Sequence, residues 1–141
     1  AAPSVQYDRM LNYLHGWFSP HLEPLVHLHL VAHLSGGAFK GKLGTILEPL
    51  GLTAELDNLF EPPTIMRQCA EWRGMNSEQC YETWNGGQGA LIVVDSQEVS
   101  VIEEQAARWG IEMRVAGCIV PFQGYSVGLT SRFDGKRVIY P

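Results

Sequence analysis

The sequence predicts an α+β (α/β) fold, a layered domain with a mixed β-sheet flanked by helices. Three observations carry that expectation. Segments with helical apolar spacing alternate with segments of strand spacing, in the order α-β-α-β-α-α-β-α-β-β-β. The last strands follow one another around Asp134-Gly135, a turn pair that makes an antiparallel hairpin, so the sheet is mixed. Apolar residues make up 45% of the 141 residues and charged residues 18%, enough to bury a real core in one domain spanning residues 1–141.

Each element has its own signal. Pro3-Ser4 opens a helix in which Val5, Met10, Leu11, Leu14 and Trp17 share a face, and Gly16 and Pro20 end it. Residues 26–34 alternate as a strand, with Val26, Leu28, Leu30, Ala32 and Leu34 on one side and His27, His29, Val31 and His33 on the other. Ser35-Gly36-Gly37 breaks the strand, and a helix weakened by Gly41 and Gly44 covers residues 38–48. Residues 49–57 turn into a short strand. Pro62-Pro63 then leads into a helix whose buried side is Ile65, Met66, Cys69, Ala70 and Trp72, closed by Gly74. Asn76 or Ser77 caps the next helix, which runs through Tyr81 to Trp84. The continuous apolar run at residues 90–94 is the pattern of a buried central strand. Ser96 caps a helix that reaches Trp109 and stops at Gly110, and residues 111–120 form a strand. The hairpin of residues 125–130 and 138–140 closes the chain. Core packing is the default expectation for Trp17, Trp72, Trp84 and Trp109.

Composition excludes several functions. The net charge of −5 lacks the basic excess of a nucleic-acid binder. The three cysteines, Cys69, Cys80 and Cys118, form no CxxC pair, which argues against a disulfide framework or zinc ribbon and for a reducing, cytoplasmic setting. Cys69 and Cys118 read as small buried hydrophobes. No apolar run is long enough to span a bilayer, and Asp8, Arg9, Asn12 and His15 interrupt any signal-peptide core, so no membrane partner is expected.

Two glycine loops carry the chemistry. Ser35-Gly36-Gly37-Ala38 lies between a strand and a helix, where backbone amides and the positive helix end favour an anion. Missing side chains let phosphate oxygens reach the main chain, and Lys40 and Lys42 add positive charge nearby. The alternative is a plain strand-to-helix turn. Residues 36–42 also match G-x-x-x-x-G-K, and residues 90–95 are an apolar strand ending in Asp95, as in a nucleotide hydrolase. Position 43 is Leu, where that motif needs a hydroxyl on magnesium. The second loop, Asn85-Gly86-Gly87-Gln88-Gly89, reads as a site-lining segment rather than a flexible turn. His27, His29 and His33 share a strand face. They offer a weak metal reading, because no Cys or carboxylate stands at an adjacent ligand spacing, and an alternative reading as a dimer face. No metal site is expected. His33 lies two residues before the first loop and is within reach of a bound anion.

Read together, these segments resemble a known family. Ala32-His33-Leu34-Ser35-Gly36-Gly37-Ala38-Phe39 is similar to the A-H-[IL]-[TS]-G-G-G-[FL] segment of aminoimidazole ribonucleotide (AIR) synthase, or phosphoribosylformylglycinamidine cyclo-ligase. Tyr81-Glu82-Thr83-Trp84-Asn85-Gly86-Gly87-Gln88-Gly89 is similar to its Y-R-T-F-N-x-G-x-G. Pro62-Pro63-Thr64-Ile65, Asn76-Ser77-Glu78-Gln79 and Ala116-Gly117-Cys118-Ile119-Val120 fall in order at compatible spacing, so the resemblance covers residues 3–120. It implies the C-terminal domain of the AIR synthase superfamily. In the full enzyme that domain packs on an N-terminal domain, and ATP and formylglycinamidine ribonucleotide meet between them for imidazole ring closure in purine synthesis. By that resemblance Ser35, Gly36, Gly37 and Ala38 cradle a phosphate, and His33, Asn85 and Gly86 line the cleft.

The sequence departs from the family at two places. Ala38 replaces the third glycine, and the Asn-Ile-Pro-Arg that follows Phe39 in the family is absent, leaving Lys40 or Lys42 as point-charge substitutes. The family's N-terminal ATP and magnesium segments are also absent from this sequence. The expectation is therefore a phosphate-binding domain that is inactive alone. It has no cofactor of its own, and ATP and magnesium come with the N-terminal domain. Its partner is that domain or a second copy of itself, and its ligand is a phosphorylated small molecule. The competing expectation is a stand-alone, non-enzymatic dimerisation or ligand-binding module.

Overall fold

The computed structural model describes residues 4–17 and 23–141; Pro3 and Pro20, read as the first helix's start and stop, lie outside the described residues. The elements are α1 (Asp8–His15), β1 (Leu30–His33), a π-helical turn (Lys40–Gly44) running through α2 (Thr45–Leu47) into a 3-10 turn (Glu48–Leu50), β2 (Leu52–Leu56), α3 (Thr64–Arg73), α4 (Ser77–Thr83), β3 (Ala90–Val93), a 3-10 turn (Ser96–Glu98), α5 (Val99–Arg108), β4 (Gly117–Pro121), β5 (Val127–Thr130) and β6 (Arg137–Tyr140). The order is the one expected. Helices combined with a four-stranded mixed sheet make the fold α+β.

The chain packs as two compact units, Ala1–Val31 with Ile92–Val115, and Ala32–Leu91 with Ala116–Pro141. In the first, the apolar faces of α1 and α5 meet: Met10, Leu14, Val26, Ile102 and Ala106 are buried, with Leu11, Val101 and Trp109 packed against them. Gly16 ends α1 in the left-handed region, φ 81°. That turn takes Trp17 off the helix face, so Trp17 is 73% exposed rather than in the core. Ser96 makes no cap. It lies inside the 3-10 turn, which closes through Glu98 N–H to Asp95 O at 2.9 Å. Gly110 follows α5 with φ 65°.

In the second unit the strand order is β4-β2-β5-β6, with β2 and β5 parallel and the outer pairs antiparallel. The register places Ala54, Leu56, Val127, Leu129, Val138 and Tyr140 on one face, and all six are buried. The helical segments cover that face. A Cβ on Gly44 would stand 2.7 Å from Ser126 Oγ, and Tyr140 Oη donates to Glu78 O of α4 at 2.9 Å. The opposite face carries Glu55, which accepts from Tyr125 Oη and Arg137 Nη2. The Tyr125 hydrogen bond, with Arg137 adding to it, holds the Glu55 carboxyl below its ordinary range. Cys118 stands opposite Glu55 on this open face and is exposed, not a buried hydrophobe.

Asn76 caps α4 through a capping box with Gln79, at 2.9 and 3.0 Å. α3 forms as expected and ends at Gly74, but its buried side differs. Arg67 reaches inward to Arg132 O at 2.7 Å, which turns the opposite side of the helix outward. Ile65 and Trp72 are therefore 64% and 73% exposed, and Ala70 is the buried residue.

β1 and β3 form a separate two-stranded sheet. His29 N–H to Val93 O and Leu34 N–H to Gly89 O, both 2.9 Å, run in opposite senses, so the pair is antiparallel. β1 is shorter than the expected strand, yet the alternation holds: Val26, Ala32 and Leu34 are buried, while His27, His29, Val31 and His33 are exposed. β3 is half-buried with one partner strand, not a buried central strand. This arrangement overturns the nucleotide-hydrolase reading, which needs parallel neighbours around β1 and β3. Leu43, at that motif's hydroxyl position, is buried.

Candidate phosphate-binding loops

The site is built where β1 ends. Leu34 N–H donates to Gly89 O at 2.9 Å, and Leu34 O accepts from Asn85 Nδ2 at 3.3 Å. The first glycine loop thus starts against the second, and two segments picked out separately along the sequence come together.

The first loop is a tight turn. Ser35 N–H donates to His33 O at 3.1 Å, Ala38 N–H to Ser35 O at 2.9 Å and Gly41 N–H to Gly37 O at 2.7 Å. The Ala38 amide is therefore committed to the turn itself. Ala38 is buried with φ 35°, and among the described residues it is the one non-glycine with positive φ. A Cβ in the left-handed region costs about 1–2 kcal/mol, so the loop keeps a glycine-like backbone where glycine has been replaced. Gly37, φ 84°, needs its missing Cβ for that reason. Gly36 does not: a Cβ there would meet nothing within 4 Å. His33, Ser35, Gly36, Gly37, Lys40 and Lys42 are all exposed.

The second loop is held from inside. Asn85 Oδ1 accepts from Gly87 N–H at 3.0 Å. Gln88 is buried, donating from Nε2 to Asn85 O at 2.9 Å and accepting from Phe60 N–H. Gly86, φ 62°, is buried against Tyr81, whose Cδ1 a Cβ would approach to 3.1 Å while overlapping Cε1. At Gly87, φ 101°, a Cβ would lie 2.8 Å from Glu61 O. Both glycines are thus required by packing.

Tyr81 joins these parts. Its ring is fully buried edge-on to Phe39, at 5.4 Å, and to Phe133, at 5.3 Å. Its hydroxyl accepts from Arg132 N–H at 3.0 Å, and burial pushes its pKa up. Beside the loop, the two oxygens of Glu61 take Arg67 Nη2 and Arg132 Nη2, one each. Tyr81 and Gln88 stand within the segment that resembles the family's second motif, whereas nothing in the sequence marks Arg67 or Arg132. Gln88 lay inside a marked loop and offered a signal; Arg132, far along the chain, offered none.

The histidines do not converge on a metal. The His27 and His29 rings lie 4.5 Å apart, and His29 Nε2 is 3.3 Å from Asp95 Oδ1. Among the described residues no group of three or more His, Cys, Asp or Glu side chains is placed to hold a metal ion. A cavity of about 200 Å³ lined by Arg67, Ser77, Cys80, Phe133 and Asp134 includes none of the predicted loop residues. Ser77 Oγ donates to Asp134 at 2.6 Å, which holds that carboxyl below its ordinary range. No helix among the described residues is long and apolar enough to cross a membrane.

An α+β chain with two hydrogen-bonded glycine loops now meets its relatives. No family model matches the chain. It is 34% identical over 95 residues to phosphoribosylformylglycinamidine cyclo-ligase of Pseudothermotoga lettingae, covering 67% of this chain and 28% of that protein. The protein of the same name from Methanocaldococcus jannaschii is 29% identical over 90 residues, covering 64% of this chain and 25% of that one. The one from Nitrosococcus oceani is 29% identical over 136 residues, covering 94% and 35%. The chain is a relative of the AIR synthase (phosphoribosylformylglycinamidine cyclo-ligase) family, and these matches span between 25% and 35% of the relatives' length.

Proposed function

We propose that the chain is the substrate-binding, C-terminal part of an AIR-synthase-like cyclo-ligase, holding the phosphate of a phosphorylated small molecule at the first glycine loop. The observation that supports this reading is Gly36. It is exposed, its neighbours leave room for a Cβ, and its φ lies outside the left-handed region, so the fold itself does not require glycine there. An approaching phosphate does.

In this reading the exposed amides of Gly36 and Gly37 face the phosphate, with Ser35 beside them and Lys40 or Lys42 supplying positive charge. Ala38 shapes the turn. Asn85 acts through position, because its carboxamide ties both loops together, and His33 and Gly86 flank the same place. Ring closure with ATP, as in purine synthesis, belongs to a complete enzyme with an N-terminal ATP-binding domain as partner. This chain alone binds without turnover, in the cytoplasm, with neither nucleic acid nor membrane as partner. The second reading, a stand-alone ligand-binding or self-associating module, draws on the arginine missing after Phe39.

Calorimetric titration of the folded chain with ribose 5-phosphate tests the proposal. Wild type is expected to bind saturably, and Gly36→Ala to keep its unfolding temperature while binding at least about tenfold more weakly. Equal affinity in the two proteins would contradict a phosphate at this loop.

A further inference from the structure

The four-stranded sheet has two edges, β4 and β6, and they differ. Successive residues of an antiparallel strand point their backbone groups alternately toward the paired strand and away from it. On β4, Asp57 N–H donates to Ala116 O and Phe122 N–H to Gly51 O, which turns Gly117, Ile119 and Pro121 outward. Proline has no N–H, so Pro121 blunts that edge. On β6, Ser131 N–H donates to Lys136 O at 2.8 Å, and the register pairs Leu129 with Val138 and Val127 with Tyr140. Arg137 and Ile139 therefore aim their N–H and C=O groups away from the sheet, and nothing among the described residues takes them. Ile139 is 47% exposed, while Val138 and Tyr140, on the covered face, are buried.

This free edge is complementary to itself. Two copies of β6, antiparallel about a two-fold axis at Val138, set Arg137 of each opposite Ile139 of the other. Every outward N–H then meets a C=O. The ladder ends by itself, because Gly135 N–H is already given to Ser131 O at 2.9 Å and Pro141 has none. The side chains fit as well. Val138 meets Val138 of the second copy on the covered face, the apolar cross-strand pairing that stabilises sheets. Lys136 falls opposite Tyr140 of the second copy. Arg137, whose charge Glu55 balances within its own copy, falls beside Ile139, so no like charges meet.

We propose that β6 pairs with β6 of a second copy of this chain, joining two four-stranded sheets into one continuous sheet. The inference does not rest on the phosphate-binding reading, and it uses a different surface from the histidine strand face. Two short strands bury less than the roughly 1,200 Å² of a stable interface, so the dimer is weak, with a dissociation constant of about 100 μM.

Sedimentation equilibrium of the full chain between about 10 μM and about 1 mM, with amide hydrogen exchange at both ends of that range, tests the proposal. The expected result is a monomer–dimer equilibrium in which the Arg137 and Ile139 amides exchange about fourfold more slowly in the concentrated sample. Ile139→Pro deletes an N–H that makes no bond within the chain, so it should keep the unfolding temperature and raise the dissociation constant at least about tenfold. Ile139→Lys sets a cation beside Arg137 of the second copy and should weaken the dimer as much, without proline's backbone restriction. A chain that stays monomeric at the highest concentration would overturn the proposal, as would a dimer that both variants form as well as wild type does. Slow exchange of the two amides already in the dilute monomer would also overturn it, because the edge would then be taken within the chain.

Discussion

Tyr81→Ala is expected to destabilise the second unit by about 3–5 kcal/mol, the cost of deleting a fully buried aromatic that the surroundings cannot collapse around. The ring separates Phe39, which follows the first glycine loop, from Phe133, in the β5–β6 turn, and it also supports Gly86. Its hydroxyl is the acceptor for Arg132 N–H, which is left unsatisfied in the variant. Tyr81→Phe separates the two contributions and should cost about 1–2 kcal/mol, since only the hydroxyl is lost. Urea unfolding of the two variants measures both. A loss below about 1 kcal/mol for Tyr81→Ala would mean that the three rings are not the joint between the loops.

Gly86→Ala is the second large effect. Its Cβ would overlap Tyr81 Cε1, and the backbone at φ 62° disfavours any Cβ. Overpacking of about 1–3 kcal/mol and about 1–2 kcal/mol of left-handed strain place the loss at roughly 2–5 kcal/mol. Because the ring clamped between Phe39 and Phe133 has no room to move, the clash depends on Tyr81 itself. In the Tyr81→Ala background the same change should cost only the backbone part, about 1–2 kcal/mol, so the two substitutions are non-additive. Additive losses would show that Gly86 does not pack on this ring in solution. The contrast with Gly36→Ala, expected to leave stability intact, separates a glycine the fold needs from one that a ligand needs.

Much of the fold was legible along the sequence because its signals are local. The Asn76 capping box, the glycine stops at Gly74 and Gly110, and the alternation through Val26, Ala32 and Leu34 each act within a few residues, and each was met. What failed was everything that depends on the cover. Helical spacing marks Ile65, Cys69 and Trp72 as a stripe, but the hydrogen bond from Arg67 to Arg132 O, 65 residues away, decides which side of α3 turns inward. The apolar run of β3 says what the strand tolerates on its faces, not how many strands pair with it.

The candidate site shows the same division. The loops were found by their glycines and by family resemblance. For Gly86 and Gly87 the physical cause is contact with Tyr81, which opens the same motif, and with Glu61 O, a backbone group that no sequence signature marks. Arg132 joins the second loop by chain reversal at the β5–β6 turn, which no spacing rule connects to Asn85.

The most direct measurement combines equilibrium binding and turnover in one sample of the folded chain. Formylglycinamidine ribonucleotide is added first without ATP, then with ATP and magnesium. The account predicts saturable binding of the ribonucleotide in the first step and no ring-closed product or ADP in the second. Absence of binding, or product formed by this chain alone, would contradict a substrate-holding part of a larger cyclo-ligase.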